Sequence, residues 1–240
     1  MGQGRKAGSR VPGIMHIHNI RKTDSTNRLA RKYKPGTVIR SAIQSSGVGR
    51  FGRKWVSDSG GLWFSIVLKP ERKLCEYTFI ASLAVLDAIG KKAEIKWPND
   101  LVYKGEKLCG ILTEIHSSGN TVKKVIVGIG LNVNNDAPSG GVSLKEIMGH
   151  EINIDELLRK IVENFIKISK LSISSIIAMY RKKCSMLGKM VTASTLEGTF
   201  YGKAAGIDDE GNLILETNKG VKKLTEGDAT LGYSLPHQAH

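Results

Sequence analysis

Hydrophobic patterning divides this chain into two textures. Up to residue 188, apolar runs of strand length alternate with longer segments of helical character; from residue 189 the apolar stretches are short and recur every ~8 to 12 residues between turn residues. Residues 61–68 are a continuous β-rich run that predicts a central strand, and residues 77–89 have the Ala/Leu content and apolar density of a buried helix. Further strands are expected at 14–20, 37–43, 107–116 and 122–134, with a short helical segment at 28–33. Between residues 94 and 103, Pro98 and Asn99 break an extended segment into two strand-like pieces. Residues 138–147 read as a loop entering a short helix, and amphipathic helices follow at 155–169 and 174–187, the second stopped by Gly188. Short strands are then expected at 191–193, 198–207, 213–217, 221–224 and 229–233, with turns at 208–212 and 218–220. The organisation this predicts is a glycine-rich disordered tail at 1–13, a mixed body over 14–188 and a small β-barrel over 189–240.

Composition narrows the class. Of the 240 residues 40% are apolar, mean hydropathy is -0.16, and no run approaches the ~20 apolar residues of a membrane span, so a globular chain with a proper core is expected. No apolar leader segment is visible, and Cys75, Cys109 and Cys184 are too scattered for a disulfide framework or metal site, which fits reduced thiols in the cytoplasm. The net charge of +14 invites nucleic acid as a partner. Against this, the cations are dispersed, and the ~20 residues ahead of the first motif are too few for a helix-turn-helix. Anionic substrates or an acidic protein partner are the blander and preferred explanation of the charge.

The chemistry concentrates in the segment Gln44-Ser-Ser-Gly-Val-Gly-Arg-Phe-Gly-Arg-Lys-Trp55. Gly47, Gly49 and Gly52 match G-x-G-x-x-G, but residues 53–61 lack a helical period, so the dinucleotide-binding turn is excluded. What remains is a glycine loop whose backbone can approach phosphate while Arg50, Arg53 and Lys54 supply charge, or else a solvated surface turn. Ser25, Thr26 and Asn27 stand at a strand-to-helix junction, either as helix caps or as polar groups aimed at a ligand. His16 and His18 share one strand face without a further ligand nearby, which favours a structural role over a metal site. Lys107 enters an apolar strand, as a solvated edge residue or an active-site cation, and Gly128 and Gly130 permit close backbone approach in the strand that ends at Asn132.

Taken together, Ser25-Thr-Asn27, the 47–55 loop, Lys96-Trp-Pro-Asn-Asp100, Lys107-Leu-Cys-Gly-Ile-Leu112 and Gly128-Ile-Gly-Leu-Asn132 resemble the biotin protein ligases in order and spacing, from about residue 14 onward. The resemblance implies an α+β fold, a mixed-sheet catalytic domain followed by an SH3-like β-barrel. It also implies a two-step reaction in which biotin and ATP, with Mg²⁺ on the polyphosphate, give biotinyl-5′-AMP, and a lysine of a biotin carboxyl carrier protein then takes the biotinyl group. It makes Lys107, Arg50 and Asp100 the catalytic candidates, with Lys107 contacting both carboxylate and phosphate and Asp100 orienting the incoming lysine. It puts Ser25, Thr26, Asn27, Gln44, Gly49, Lys107, Gly110 and Ile111 around biotin. Val48, Gly49, Arg50, Arg53, Trp55, Lys107 and Asn132 fall around the adenylate.

Two departures stand out. Val48 occupies the place where many relatives carry an arginine, which removes a cation from the loop and implies weaker retention of biotinyl-AMP. The short stretch before the first motif resembles the monofunctional ligases, without a DNA-binding domain. Relatives often dimerise through their sheets, so a homodimer is possible. The rival enzymatic reading is a lipoate protein ligase with the same adenylate chemistry; a basic nucleic-acid-binding module is the rival from another class.

Overall fold

A computed structural model describes residues 16–90 and 93–232. The tail expected at 1–13, the first two positions of the first expected strand and the chain end from Tyr233 lie outside the described residues.

A seven-stranded mixed sheet forms the body. Its strands are β1 (His16–Thr23), β2 (Thr37–Gln44), β3 (Leu62–Leu68), β4 (Glu94–Lys96), β5 (Asp100–Tyr103), β6 (Glu106–Ser118) and β7 (Thr121–Leu131), in the order β1-β2-β3-β7-β6-β5-β4. Only β1 and β2 run parallel, which requires a crossover, and the short helix α1 (Thr26–Ala30) supplies it. The two faces of the sheet differ in what they bury. Along β7, Val125, Val127, Ile129 and Leu131 join the main core, whereas Ile126 belongs to a small cluster with Ala30, Ile39 and Val67 beneath α1. Strand periodicity then puts Gly128 and Gly130 on the α1 face, where two missing side chains leave a hollow.

The opposite face is sealed by α2 (Leu74–Ile89), with Phe79, Ile80 and Leu83 fully buried. This helix is apolar on nearly all sides because it lies between the sheet and two further helices, α4 (Ile154–Ser169) and α5 (Ile173–Lys183). The short α3 (Leu144–Met148) begins with a capping box between Ser143 and Glu146, and Asn153 caps α4 by accepting from the amides of Asp155 and Glu156.

The second texture forms its own antiparallel sheet: β8 (Met190–Thr195), β9 (Gly198–Ile207), β10 (Leu213–Thr217), β11 (Gly220–Leu224) and β12 (Asp228–Leu231), in the order β11-β10-β9-β8-β12. Among the described residues no ladder joins β11 to β12, so the barrel expected from the pattern is seen as a five-stranded sheet. The 208–212 turn docks this sheet on the body. Asp208 accepts from the amides of Glu210 and Asn212, both at 2.9 Å, which shapes the turn. Gly211 (φ 87°) then offers its carbonyl to Trp97 Nε1 at 3.2 Å, while Arg181 Nε donates to the carbonyl of Ile207 at 2.6 Å. A left-handed backbone against the Phe79 ring explains the glycine there.

Several boundaries differ from the expectation. Strand β1 runs on through Arg21, Lys22 and Thr23 because an edge strand can turn charged side chains to solvent while keeping register with β2. Helix α1 starts at Thr26 rather than 28 and ends at Ala30, the last apolar position it buries. Helix α5 stops at Lys183, after which Cys184 bridges to Ile95.

Candidate active site

The hollow on the α1 face is a pocket of about 330 Å³. Its lining includes the fourteen residues that the family resemblance implies for catalysis, biotin or the adenylate: Ser25, Thr26, Asn27, Gln44, Val48, Gly49, Arg50, Arg53, Trp55, Asp100, Lys107, Gly110, Ile111 and Asn132; Gly47 and Gly52 of the loop and the His16–His18 pair are not part of it. Lys54, Asn99 and Asp228 also line it, so four cations face two carboxylates.

The floor is made by glycines in strands. A Cβ on Gly128 would collide with the Asn27 carboxamide, and one on Gly130 would collide with the Trp55 indole; at Gly110 it would come within 3.2 Å of the same ring. The Trp55 side chain therefore lies across the floor, edge-on to Trp63 with ring centroids 6.3 Å apart. Lys107 enters from β6, with Nζ 5.2 Å from the Trp55 ring and 2.8 Å from Asp100 Oδ2. This assigns the charge partner of Asp100: it is Lys107, although Lys96 stands opposite Asp100 in the β4–β5 register. The other Asp100 oxygen, Oδ1, and the Trp55 Nε1 are both buried without a hydrogen-bond partner, a costly condition that a bound ligand can relieve. Beneath this pair, burial and the charge of Asp100 push the Cys109 thiol far up, so it stays protonated.

One wall is a hydrogen-bond chain. Thr26 donates its amide and hydroxyl to Gln44 Oε1 at 2.7 and 3.0 Å, Gln44 Nε2 donates to Ser57 Oγ at 2.8 Å, and Ser57 donates to the Trp55 carbonyl at 3.1 Å. Asn27 accepts from Ser65 Oγ at 2.6 Å and donates to Glu114 Oε2 at 2.7 Å. Its amide is fully engaged with protein, so Asn27 shapes the wall. Ser25 differs: it is the N-cap residue of α1, makes no side-chain cap bond, and is buried at the pocket edge. Asn132 is also engaged, donating to the carbonyls of Lys107 and Val142 and accepting from Asn135, and so ties the 138–142 segment to β6.

The lid is the glycine loop. It closes on itself as a narrow hairpin: Val48 bridges Lys54, Gly49 N–H donates to Arg53 O at 2.7 Å, and Trp55 N–H donates to Gly47 O at 2.8 Å. A single 3-10 turn (Arg50–Gly52) forms its tip, with Phe51 at φ 55° and Gly52 at φ 72°. Backbone bonding within the hairpin means that Val48 serves the loop through its main chain. Arg50 Nη1 donates to Asn99 Oδ1 at 3.1 Å and Gly227 O at 2.9 Å, and lies 3.4 Å from Asp228 Oδ1; Arg53 ion-pairs with Asp228 Oδ2. Sequence reasoning missed Asn99 and Asp228. The first lay within a quoted motif; the second sits in an ordinary Glu-Gly-Asp turn, and only the docking of the C-terminal sheet brings it here.

Comparison with known proteins agrees with this geometry. The model for the biotin/lipoate A/B protein ligase family matches residues 18–132, and that for the biotin protein ligase C-terminal domain matches residues 186–232. The chain is 38% identical over 228 residues to the bifunctional ligase/repressor BirA of Bacillus subtilis, covering 87% of this chain and 70% of that protein. It is 31% identical over 239 residues to the biotin--[acetyl-CoA-carboxylase] ligase of Paracoccus denitrificans, covering 89% and 99% respectively. The structure of the Aquifex aeolicus biotin protein ligase in complex with biotin and ATP superposes with a TM-score of 0.79 at 30% identity, covering 91% of this chain and 99% of that one.

Proposed function

The chain belongs to the biotin protein ligase family, and on that premise we propose how its pocket activates biotin with ATP and passes the biotinyl group to a lysine of a biotin carboxyl carrier protein. The observation that carries the assignment of roles is the position of Lys107, held by Asp100 over Trp55 on a glycine floor and facing the arginines of the lid. Adenylation brings two anions together: a carboxylate oxygen attacks the α-phosphorus, a bond to that phosphorus forms, and the bond to the departing pyrophosphate breaks. A fixed cation between the reacting groups lowers that barrier because its charge is oriented before reaction begins. Lys107 supplies this cation, and Arg50 and Arg53 meet the phosphates from the lid. Mg²⁺, carried on the triphosphate, spreads its negative charge when bound.

Trp55, Gly110, Ile111 and Gly130 give the floor on which the apolar part of biotin rests, while Ser25 and the Thr26–Gln44 pair face its polar head. In the second step the ε-amine of the carrier lysine attacks the acyl carbon, the carbon–oxygen bond to the phosphate breaks and AMP leaves, and the nitrogen gives up a proton to solvent as the amide forms. The free Oδ1 of Asp100 accepts the hydrogen bond that orients this amine. Asn132 supports the site by fixing the Lys107 backbone. Among the described residues no helix is long and apolar enough to cross a membrane.

The test is transfer to a purified carrier domain with Mg·ATP, read by avidin blot, with biotin or lipoate as the acid. Wild type should label the carrier with biotin, and Lys107→Ala should cut the rate by about 10²- to 10³-fold, the range for loss of one preorganised charge. Transfer of lipoate in place of biotin would overturn the acid assignment; full activity of Lys107→Ala would overturn the role of the lysine.

A further inference from the structure

We propose that Asp228, on the first position of β12, is a positioning residue for adenylation: it clasps the glycine lid to the C-terminal sheet by holding both lid arginines on one carboxylate, and it yields Arg53 to the phosphates when they arrive. The inference rests on the ligase reading for its catalytic consequence, though not for the clasp itself.

The geometry is asymmetric. Arg50 is anchored by three acceptors, Asn99 Oδ1, the Gly227 carbonyl and Asp228 Oδ1, and its side chain is only 19% exposed. Arg53 pairs with Asp228 Oδ2, an oxygen that is itself buried, but its own side chain is 67% exposed, so Arg53 is the arginine whose guanidinium a phosphate can reach and draw away. Phe51 stands between them, its ring 4.8 Å from the Arg50 guanidinium and 5.8 Å from that of Arg53. An exposed phenylalanine at positive φ is strained, and the flanking guanidiniums help to hold it there. With valine at position 48, two of the three lid cations, Arg50 and Arg53, share one carboxylate of another sheet, which is one of three acceptors for Arg50 and the ion-pair partner of Arg53. Asp228 itself lines the pocket. An entering polyphosphate, with more charge than one carboxylate, outcompetes it for the exposed Arg53 while Arg50 keeps its carbonyl and amide anchors. The lid is thereby docked in advance and closes over the adenylate by exchanging one anion for another.

Two readouts test this. Limited trypsin digestion without ligands reports opening of the lid at Arg50, Arg53 and Lys54. Asp228→Asn should raise the cleavage rate there about three- to tenfold, the population change that loss of a partly exposed ion pair produces, and Asp228→Glu should restore most of the protection. Arg53→Gln, which breaks the pair from the lid side and leaves the C-terminal sheet untouched, should raise cleavage at the remaining sites, Arg50 and Lys54, to a similar degree, so a folding defect in Asp228→Asn would not decide the test. In pyrophosphate exchange, Asp228→Asn should raise the KM for ATP and speed release of biotinyl-AMP, with kcat changed less. Equal cleavage in folded wild type, Asp228→Asn and Arg53→Gln would overturn the clasp. Faster cleavage with unchanged KM and release would overturn its role in adenylation. Absence of exchange in the wild type would instead defeat the ligase reading and leave the cleavage result standing.

Discussion

The floor and the lid of the pocket are both rich in glycine, and the glycines do opposite things. In the floor, Gly110, Gly128 and Gly130 sit in regular strands and matter because their absent side chains make room for Trp55 and Asn27. In the lid, Gly52 matters for its backbone, since φ 72° ends a turn that Phe51 has already forced into the left-handed region. The floor is held by ladders on both sides and by buried hydrogen bonds; the lid is held by a narrow hairpin and by the side chains of two arginines on Asn99, Gly227 and Asp228. A ligand must therefore fit the first and can reshape the second, which suits a reaction that needs an exact seat for the acid and a closing cover for a reactive anhydride.

The sharpest way to break this contrast is Gly128→Ala. The added methyl meets a carboxamide tied to Ser65, Glu114 and the Leu112 carbonyl, so the wall cannot move without losing buried hydrogen bonds. Denaturation should show a loss of about 2 to 3 kcal/mol, and calorimetry a large loss of biotin affinity. Stability and affinity at wild-type levels would mean that the floor is softer than its packing indicates. A much smaller effect is expected from the lid. Val48→Arg adds the missing cation on an exposed hairpin, so stability should change by less than about 0.5 kcal/mol, while release of biotinyl-AMP in a pulse-chase should slow about fivefold. An unchanged release rate would show that side-chain charge at position 48 plays no part in retention.

The contrast also accounts for what could be read from sequence. Alternation and length disclosed β3, α2, β6 and β7, because burial on one or both faces leaves a strong periodic trace. The motifs converge on one pocket because they stand at the ends of neighbouring strands and in the lid. Residue type did not disclose direction. Asn27 and Asn132 look like ligand-binding amides in sequence, and their bonds to protein groups, Glu114 and Ser65 for the first and Lys107, Val142 and Asn135 for the second, could be seen only in the fold. Ser25, which could have been a simple cap, leaves its hydroxyl out of capping. Asp228 left no trace at all, since its significance arises from the docking of one sheet on another.

Amide hydrogen exchange, followed peptide by peptide with and without biotin and Mg·ATP, tests the division most directly. Amides of 107–112 and 125–131 should be strongly protected in both states, and those of 47–55 should exchange readily until both ligands are present, because the lid has only a two-stranded hairpin and a few side-chain anchors to hold it, the exposed Arg53 pair adding about 1 kcal/mol or less. Protection of the lid equal to that of the floor in the ligand-free protein would contradict the account.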